Sequence, residues 1–470
     1  MLPLPTSSRF VALRHHDWPL VVVLLLSYLV YLPASGYPAL VFDASNYWHL
    51  TERFFRSGHF HLLAYDDGLR GYLLALLNLP AKALVHFTGV APLLATRLMG
   101  AATAALLFGW AGPALWRRLF PAVPLALSAR GAFAALGFLF WRDYFNFPLS
   151  DFPAVLALLV GLRLVPGAGA ARLVVAGSLL AAAVNIRPVY LLAAPAVLVL
   201  AVVETSGAGR RGLAVAALLA GFALVSTPQL LINGRHHGQW SPLVLSRDNR
   251  FPAANLYLSQ LGWGVLLQKY ETTLDPAVPG PKLLYTDPAG QALLRQDSLR
   301  HFPGYAAYLR EVGRRPLEFA ALYGRHLFNG LDVQYASLYV RRVADRQRAL
   351  ALLHYSVWFG ALVGLAHSLR SLRRRHLLLL ASLLPPALVT VPMAMECRFL
   401  LPLHLLLYAV FCFGLLPHAR AAARWSGRKK VVLIGAYVLF VGACTTLSAQ
   451  TSAQRSFDLR VLRDLGGAEE

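Results

Sequence analysis

The chain has 470 residues, with 44 Lys and Arg against 22 Asp and Glu, a formal net charge of +22. Yet only 14% of residues are charged and 57% are hydrophobic, where soluble domains carry about 25% charged residues; mean hydropathy is +0.53. Apolar runs approaching bilayer-spanning length recur from end to end. That pattern excludes disorder, collagen, a disulfide scaffold, an ordinary soluble enzyme and nucleic acid as the partner of the positive charge.

In chain order the runs fall at 18–34, 94–116, 127–141, 152–166, 172–186, 188–203, 212–232, 350–368, 376–393, 399–416 and 431–448. The fold class they predict is an all-α polytopic membrane protein with about eleven transmembrane helices. The first run lacks a small-residue cleavage site and reads as a retained helix. A twelfth stretch, Gly71 to Val90, is interrupted by Pro80 and Lys82. Charge placement decides it. If 71–90 does not span and the N-terminus is cytoplasmic, the inner loops receive Arg9, Arg14, Arg117, Arg118, Arg163, Arg210, Arg211, Arg370, Arg373 to Arg375, Arg420, Arg424 and Arg428 to Lys430. Short cytoplasmic loops are enriched in Lys and Arg in this way.

The organisation that follows is a membrane module over 1–232, with a first outer loop at 35–92. An outer subdomain at 233–349, a second membrane module at 350–448 and an outer tail at 449–470 complete the chain. In the first loop, Ala44 to Arg56 reads as an interfacial amphipathic helix. Asp66 and Asp67 read as turn formers. In the second outer segment the sequence predicts helices over Gln291–Val312 and Pro316–Asn329, with turns at Pro276–Pro281 and Asp287–Gly290. Its many Tyr and Trp residues suit either an interface lid or the core of a small subdomain. Cys397, Cys412 and Cys444 have no metal or disulfide spacing and read as buried apolar residues.

Ionisable residues beside membrane spans are functional candidates, because burying a charge at bilayer depth is costly. Asp43 follows the first run, and it is either the N-cap of the helix after it or a catalytic base. Asp151, in Pro148-Leu149-Ser150-Asp151, is either a helix cap or a substrate-facing acid. Arg187 occupies a tight turn, Asn185-Ile186-Arg187-Pro188. Glu396 and Arg398 open the tenth run, where Arg398 either pairs with its own Glu396 or clamps a phosphate, whose oxygens match a guanidinium fork. Arg142 and Asp143 lie beside the third run. All of these fall on the expected outer side.

The combination resembles the GT-C superfamily of membrane glycosyltransferases that use polyprenyl-phosphate sugars, including protein O-mannosyltransferases and lipid A aminoarabinose transferases. The resemblance rests on the acid at Asp43, opening an aromatic interfacial helix, and on Arg97-Leu98-Met99-Gly100-Ala101 leading to Trp116-Arg117-Arg118-Leu119-Phe120. The Ser150-Asp151 turn, Ile186-Arg187-Pro188 and Glu396-x-Arg398-Phe399-Leu400-x-Pro402 complete it. It covers roughly 18–232 and 376–416. The chain departs from the family where Ala44 follows Asp43, since many members carry two adjacent acids there.

The resemblance implies transfer of a sugar from a polyprenyl-phosphate donor to an acceptor hydroxyl, with inversion. Asp43 is then the base, Arg398 and Arg187 hold the donor phosphate, and Asp151 and Glu396 position the acceptor or a divalent cation, Mg²⁺ or Mn²⁺. The acceptor is left open among glycan, lipid and protein. A bacterial inner membrane, with the site facing the periplasm, is the expected location. Three alternatives stand beside this: a transporter or flippase of a lipid-linked or anionic solute, a polysaccharide ligase or polymerase, and a scaffold whose outer segment 233–349 is the functional part. Convergence of Asp43, Asp151, Arg187 and Arg398 on one cavity favours transferase chemistry.

Overall fold

The structure, a computed structural model, describes residues 18–121, 125–249, 251, 254–296, 302–368, 372–415 and 426–458. Arg9, Arg14, Arg370, Arg420 and Arg424 of the expected inner loops lie outside the described residues, as does the tail from 459.

Each of the eleven apolar runs is built mainly as helix. The first half of the chain contains α1 (Trp18–Ala34), α2 (Phe42–His49), α3 (Tyr72–Leu77), α4 (Leu79–Thr88), α5 (Pro92–Leu106), α6 (Gly112–Leu119), α7 (Leu127–Trp141), α8 (Asp151–Leu164), α9 (Ala170–Ile186), α10 (Ala194–Val203) and α11 (Ala208–His237). A π-helical stretch, Leu107–Ala111, joins α5 to α6 ahead of Pro113, whose missing N–H loosens the α-helical ladder there. Among the described residues, five helical segments have the length and apolar composition to cross a membrane: Pro92–Leu119, Ala208–His237, Val343–Ala366, Cys397–Leu415 and Gly427–Ala453. Only 11% of the apolar window of the last is buried, and its Val431, Ile434 and Leu439 are 70%, 62% and 75% exposed. A helix apolar on its outward faces is suited to hydrocarbon, not to water.

Where the hydrophobic effect cannot drive association, as between helices in lipid, helices approach through small residues and interhelical hydrogen bonds. α9 and α11 cross at Gly177 and Gly221. A Cβ added to Gly177 would lie 1.9 Å from the Leu218 carbonyl oxygen, and one added to Gly221 would lie 1.9 Å from that of Val174. The Ser178 hydroxyl donates to the Gly221 carbonyl across the same seam at 3.0 Å. Gly221→Val is therefore expected to lower stability by about 1–3 kcal/mol, read as a drop in thermal midpoint in detergent. Gly212→Ala, on the same helix with no neighbour within 4 Å of its added Cβ, is the control and should leave the midpoint unchanged.

The first loop corrects one expectation. Helix stops before Arg56: α2 continues as a 3-10 turn over Leu50–Phe54, and then β1 (Phe55–Arg56) pairs antiparallel with β2 (His59–Phe60). Ser57 and Gly58, with φ of +50° and +79°, make the two-residue turn between these strands. The stretch 71–90 is two helices of 6 and 10 residues, each too short to cross a bilayer, broken at Asn78 ahead of Pro80.

The second segment corrects two more. The chain is mostly, not wholly, helical. After α12 (Leu256–Leu266), β3 (Leu267–Thr273) and β4 (Lys282–Thr286) pair antiparallel around the Pro- and Gly-rich turn at 276–281. With β5 (Tyr339–Val340) and β6 (Arg455–Ser456) they form a four-stranded sheet of order β5-β3-β4-β6. The single helix expected over Gln291–Val312 is instead α13 (Pro288–Gln296) and α14 (Tyr305–Arg314). Pro303 and Gly304 stand between them as breakers. The helix at Pro316 forms as expected and runs further, as α15 (Pro316–Leu331).

The remaining helices are α16 (Arg348–Ser368), α17 (Arg374–Leu388), α18 (Leu401–Ala409) and α19 (Gly427–Ala453). The end of α15 ties the sheet to these helices. The Gly330 and Leu331 carbonyls lie 3.0 Å and 2.9 Å from the imidazole nitrogens of His404 and His354. The Asp332 carboxylate accepts from Tyr355 at 2.6 Å and from Ser448 at 2.8 Å. Lys269 of β3 is fully buried, pairs with Glu271 at 3.0 Å and reaches the Asp332 carbonyl at 3.5 Å. Strand β3 is thus fixed from one face, which leaves the other face to the site. The three cysteines are free and buried, as expected.

Candidate functional site

Asp43 does not cap α2. Val41 holds the N-cap position, and no side chain caps it. Phe42, just ahead, adopts φ +47°, a left-handed conformation costly for an aromatic residue. Its ring packs on Tyr339 at 5.5 Å, and the Tyr339 hydroxyl accepts the Ala44 N–H at 3.1 Å. The strained entry and the clasp from β5 turn the Asp43 carboxylate away from its own helix and toward Arg398, 3.2 Å away.

Arg398 is the hub. It lies in a 3-10 turn, Cys397–Leu400, that opens α18. Its Nε and one terminal nitrogen donate to the two oxygens of Glu396, at 2.8 Å and 3.0 Å. That terminal nitrogen also reaches Asp43, and the other stands 3.6 Å from Asp151. The pairing of Arg398 with its own Glu396 is therefore real, but it is one arm of a larger cluster. Glu396 is in turn fixed from β3: the Tyr270 hydroxyl donates to its carboxylate, and the Tyr270 N–H donates to the Met395 carbonyl at 3.1 Å.

Asp151 begins α8 and is 1% exposed; Ser150, at the cap position, makes no side-chain cap. One Asp151 oxygen is ion-paired to Arg187. The other has no hydrogen-bond partner. Arg187 ends α9, and Pro188 prevents the helix from continuing. The Arg187 and Arg398 guanidiniums both lie over the Phe399 ring, at 5.2 Å and 5.6 Å from its centroid. Two like charges lie near one aromatic ring, and the neighbouring carboxylates offset them.

Of the residues singled out in the sequence, Asp43, Asp151, Arg187, Glu396 and Arg398 thus converge. Arg142 and Asp143 do not: they engage Tyr31, at 2.9 Å and 2.6 Å. Asp67 behaves as a turn residue, accepting from the Leu69 and Arg70 N–H groups at 2.9 Å and 2.6 Å, while the Asp66 carboxylate instead accepts from Arg53 at 2.8 Å. The site also contains groups that the sequence did not mark. Tyr270 is one. Arg70 is another, its guanidinium 5.2 Å from the Tyr47 ring centroid.

The electrostatics follow from this crowding. Burial acts to raise the Asp43 pKa, but Arg398, Arg70 and Lys282 together outweigh it and hold the carboxyl below the usual carboxylate range. Its side chain is still 39% exposed, so the anion faces an accessible space. Burial pulls Arg187 down to about 10, which leaves it a cation at neutral pH. Burial, and then the Glu396 anion, push Tyr270 well above its ordinary value, keeping it a hydrogen-bond donor.

A divalent cation fits this arrangement poorly. The Arg398 guanidinium stands among the three carboxylates, and both Glu396 oxygens are taken. Among the described residues, no three His, Cys, Asp or Glu side chains gather as a ligand set. What the cluster offers is a part-exposed carboxylate at Asp43, an acid oxygen at Asp151 without a hydrogen bond and a set of guanidiniums. No known family, curated protein or solved structure matches the chain.

Proposed function

We propose that the chain is an integral membrane glycosyltransferase of GT-C type. In this reading it moves a sugar from a polyprenyl-phosphate donor to an acceptor hydroxyl. One observation carries it: Asp43, Asp151, Arg187 and Arg398, from four separate stretches of sequence, meet in one cluster. A transferase of this kind needs a base facing an anion clamp at the membrane surface. A transport path would instead distribute charge toward the midplane.

Asp43 takes the proton of the acceptor hydroxyl as its oxygen attacks the anomeric carbon. The bond from that carbon to the phosphate oxygen breaks with inversion, and polyprenyl phosphate leaves. Arg398 and Arg187 stabilise the charge that develops on the departing phosphate. The Asp151 oxygen that makes no hydrogen bond within the cluster accepts one from substrate, and Glu396, held by Tyr270, keeps Arg398 in place. The proposed chemistry uses no metal. Eleven spans, a cytoplasmic N-terminus and a periplasm-facing site in a bacterial inner membrane belong to the same proposal; the Arg-rich loops at the opposite helix ends support that orientation.

The test is incubation of the purified protein with a panel of polyprenyl-phosphate sugars and candidate acceptors, following release of polyprenyl phosphate. Release dependent on one donor supports the proposal. No release with any donor, together with saturable solute uptake into proteoliposomes, would replace it with a transporter.

A further inference from the structure

We infer that Arg398 masks Asp43 in the free protein and that phosphate capture by Arg398 releases it. The inference rests on the donor-phosphate role proposed for Arg398.

A guanidinium has two forks for a bidentate oxyanion. Glu396 fills the fork formed by Nε and one terminal nitrogen, at 2.8 Å and 3.0 Å. The fork left for a phosphate is the one between the two terminal nitrogens. Asp43 sits on one arm of that fork at 3.2 Å, and Asp151 stands 3.6 Å from the other. The two acids are held unequally. Asp151 is 1% exposed and anchored by Arg187. Asp43 is 39% exposed, and the bond to Arg398 is the one hydrogen bond its carboxylate makes among the described residues. A phosphate that takes the open fork therefore displaces Asp43.

The proposed displacement requires the same opening. Attack and departure occur on opposite faces of the anomeric carbon, so a sugar ring must separate the base from the phosphate. A carboxylate 3.2 Å from the clamp leaves no room for one. Once displaced, Asp43 loses its nearest cation and gains a neighbouring anion. The other charged or titratable groups facing it are Arg70, Lys282, Tyr47, Tyr270 and Tyr339. The two cations keep the freed carboxylate beside the cluster. Donor capture and base exposure thus become one event, and the base is withheld until a donor is present.

The experiment uses the full chain in detergent and needs no turnover. A hydrophobic carbodiimide labels protonated carboxyls, and labelling at Asp43 is read by peptide mass spectrometry at pH 6, with Asp43→Asn as the assignment control. Removing an arginine partner raises an aspartate by about one pKa unit or more, a tenfold change in protonated fraction. Saturating decyl phosphate should therefore raise the Asp43 labelling rate about tenfold. A response to decyl phosphate but not to inorganic phosphate assigns the site to lipid-linked phosphate. A response to both assigns it to the phosphate group itself; either supports displacement. Unchanged or reduced labelling, at a decyl phosphate concentration shown to saturate by calorimetry, overturns the inference and leaves the transferase proposal standing. Raised labelling without transfer from any donor does the reverse. Absence of decyl phosphate binding overturns both.

Discussion

Asp43→Asn is expected to lower sugar transfer by about 10²–10⁴-fold, the usual contribution of a positioned base, while the protein still folds and still binds donor. Asparagine keeps the shape of the side chain and an oxygen that can accept from Arg398, so the 3.2 Å contact survives without its charge. The clasp of Tyr339 on the Ala44 N–H does not involve the carboxylate at all. The measurement is the initial rate of polyprenyl phosphate release, with donor affinity determined in parallel. Because the substitution weakens the competitor for the open fork of Arg398, donor affinity should be equal or tighter. Near-wild-type turnover would remove Asp43 from the role of base.

The same residue sets the pH profile. A base must be deprotonated to act, and the cations around Asp43 hold it below the usual carboxylate range. In the free enzyme, kcat/KM should therefore persist as pH falls through the ordinary aspartate range and decline only below it. In the donor complex Arg398 has turned to the phosphate, so the acid limb of kcat should lie at higher pH than that of kcat/KM. Coincident limbs would mean that Arg398 never leaves Asp43.

The helical runs and the charged members of the site were legible because each stands out against a uniform background. Asp43, Asp151, Arg187, Glu396 and Arg398 are ionisable residues at the edges of apolar runs, where a charge is costly unless it has a use. Sequence could not choose between local and distant partners for them. Local propensity makes Asp43 a helix cap; Arg398, 355 residues away, takes its carboxylate instead. Tyr270 was one tyrosine among many in 233–349, and its partner Glu396 lies 126 residues on. Arg70 was hidden behind a turn motif that correctly explained Asp67. The sheet escaped for a related reason. Strands β5 and β6 have two residues each, too few for periodicity to register, and β6 reaches β4 from the far end of the chain. What sets these elements is long-range pairing, which a local pattern does not encode.

Arg398→Met should separate the structural role of the hub from its proposed chemistry. The side chain is 9% exposed, and Glu396 and Asp151 beside it are 7% and 1% exposed. Removing one partner of a buried ion pair leaves uncompensated charge and costs about 3–5 kcal/mol, so the single variant should show a large fall in thermal midpoint and poor recovery from membranes. Replacing both Glu396 and Arg398 with Met removes the orphaned acid as well. Asp151 retains Arg187, and Asp43 retains Arg70 and Lys282 nearby. A buried pair exchanged for apolar residues of similar volume is often neutral or stabilising, so the double variant should recover most of the lost stability. It should not recover donor binding, because the fork that meets the phosphate is gone. Stability that fails to return would mean that Arg398 holds the fold chiefly through Asp43 and Asp151. Sugar transfer that returns with stability would show that Arg398 is not the phosphate clamp.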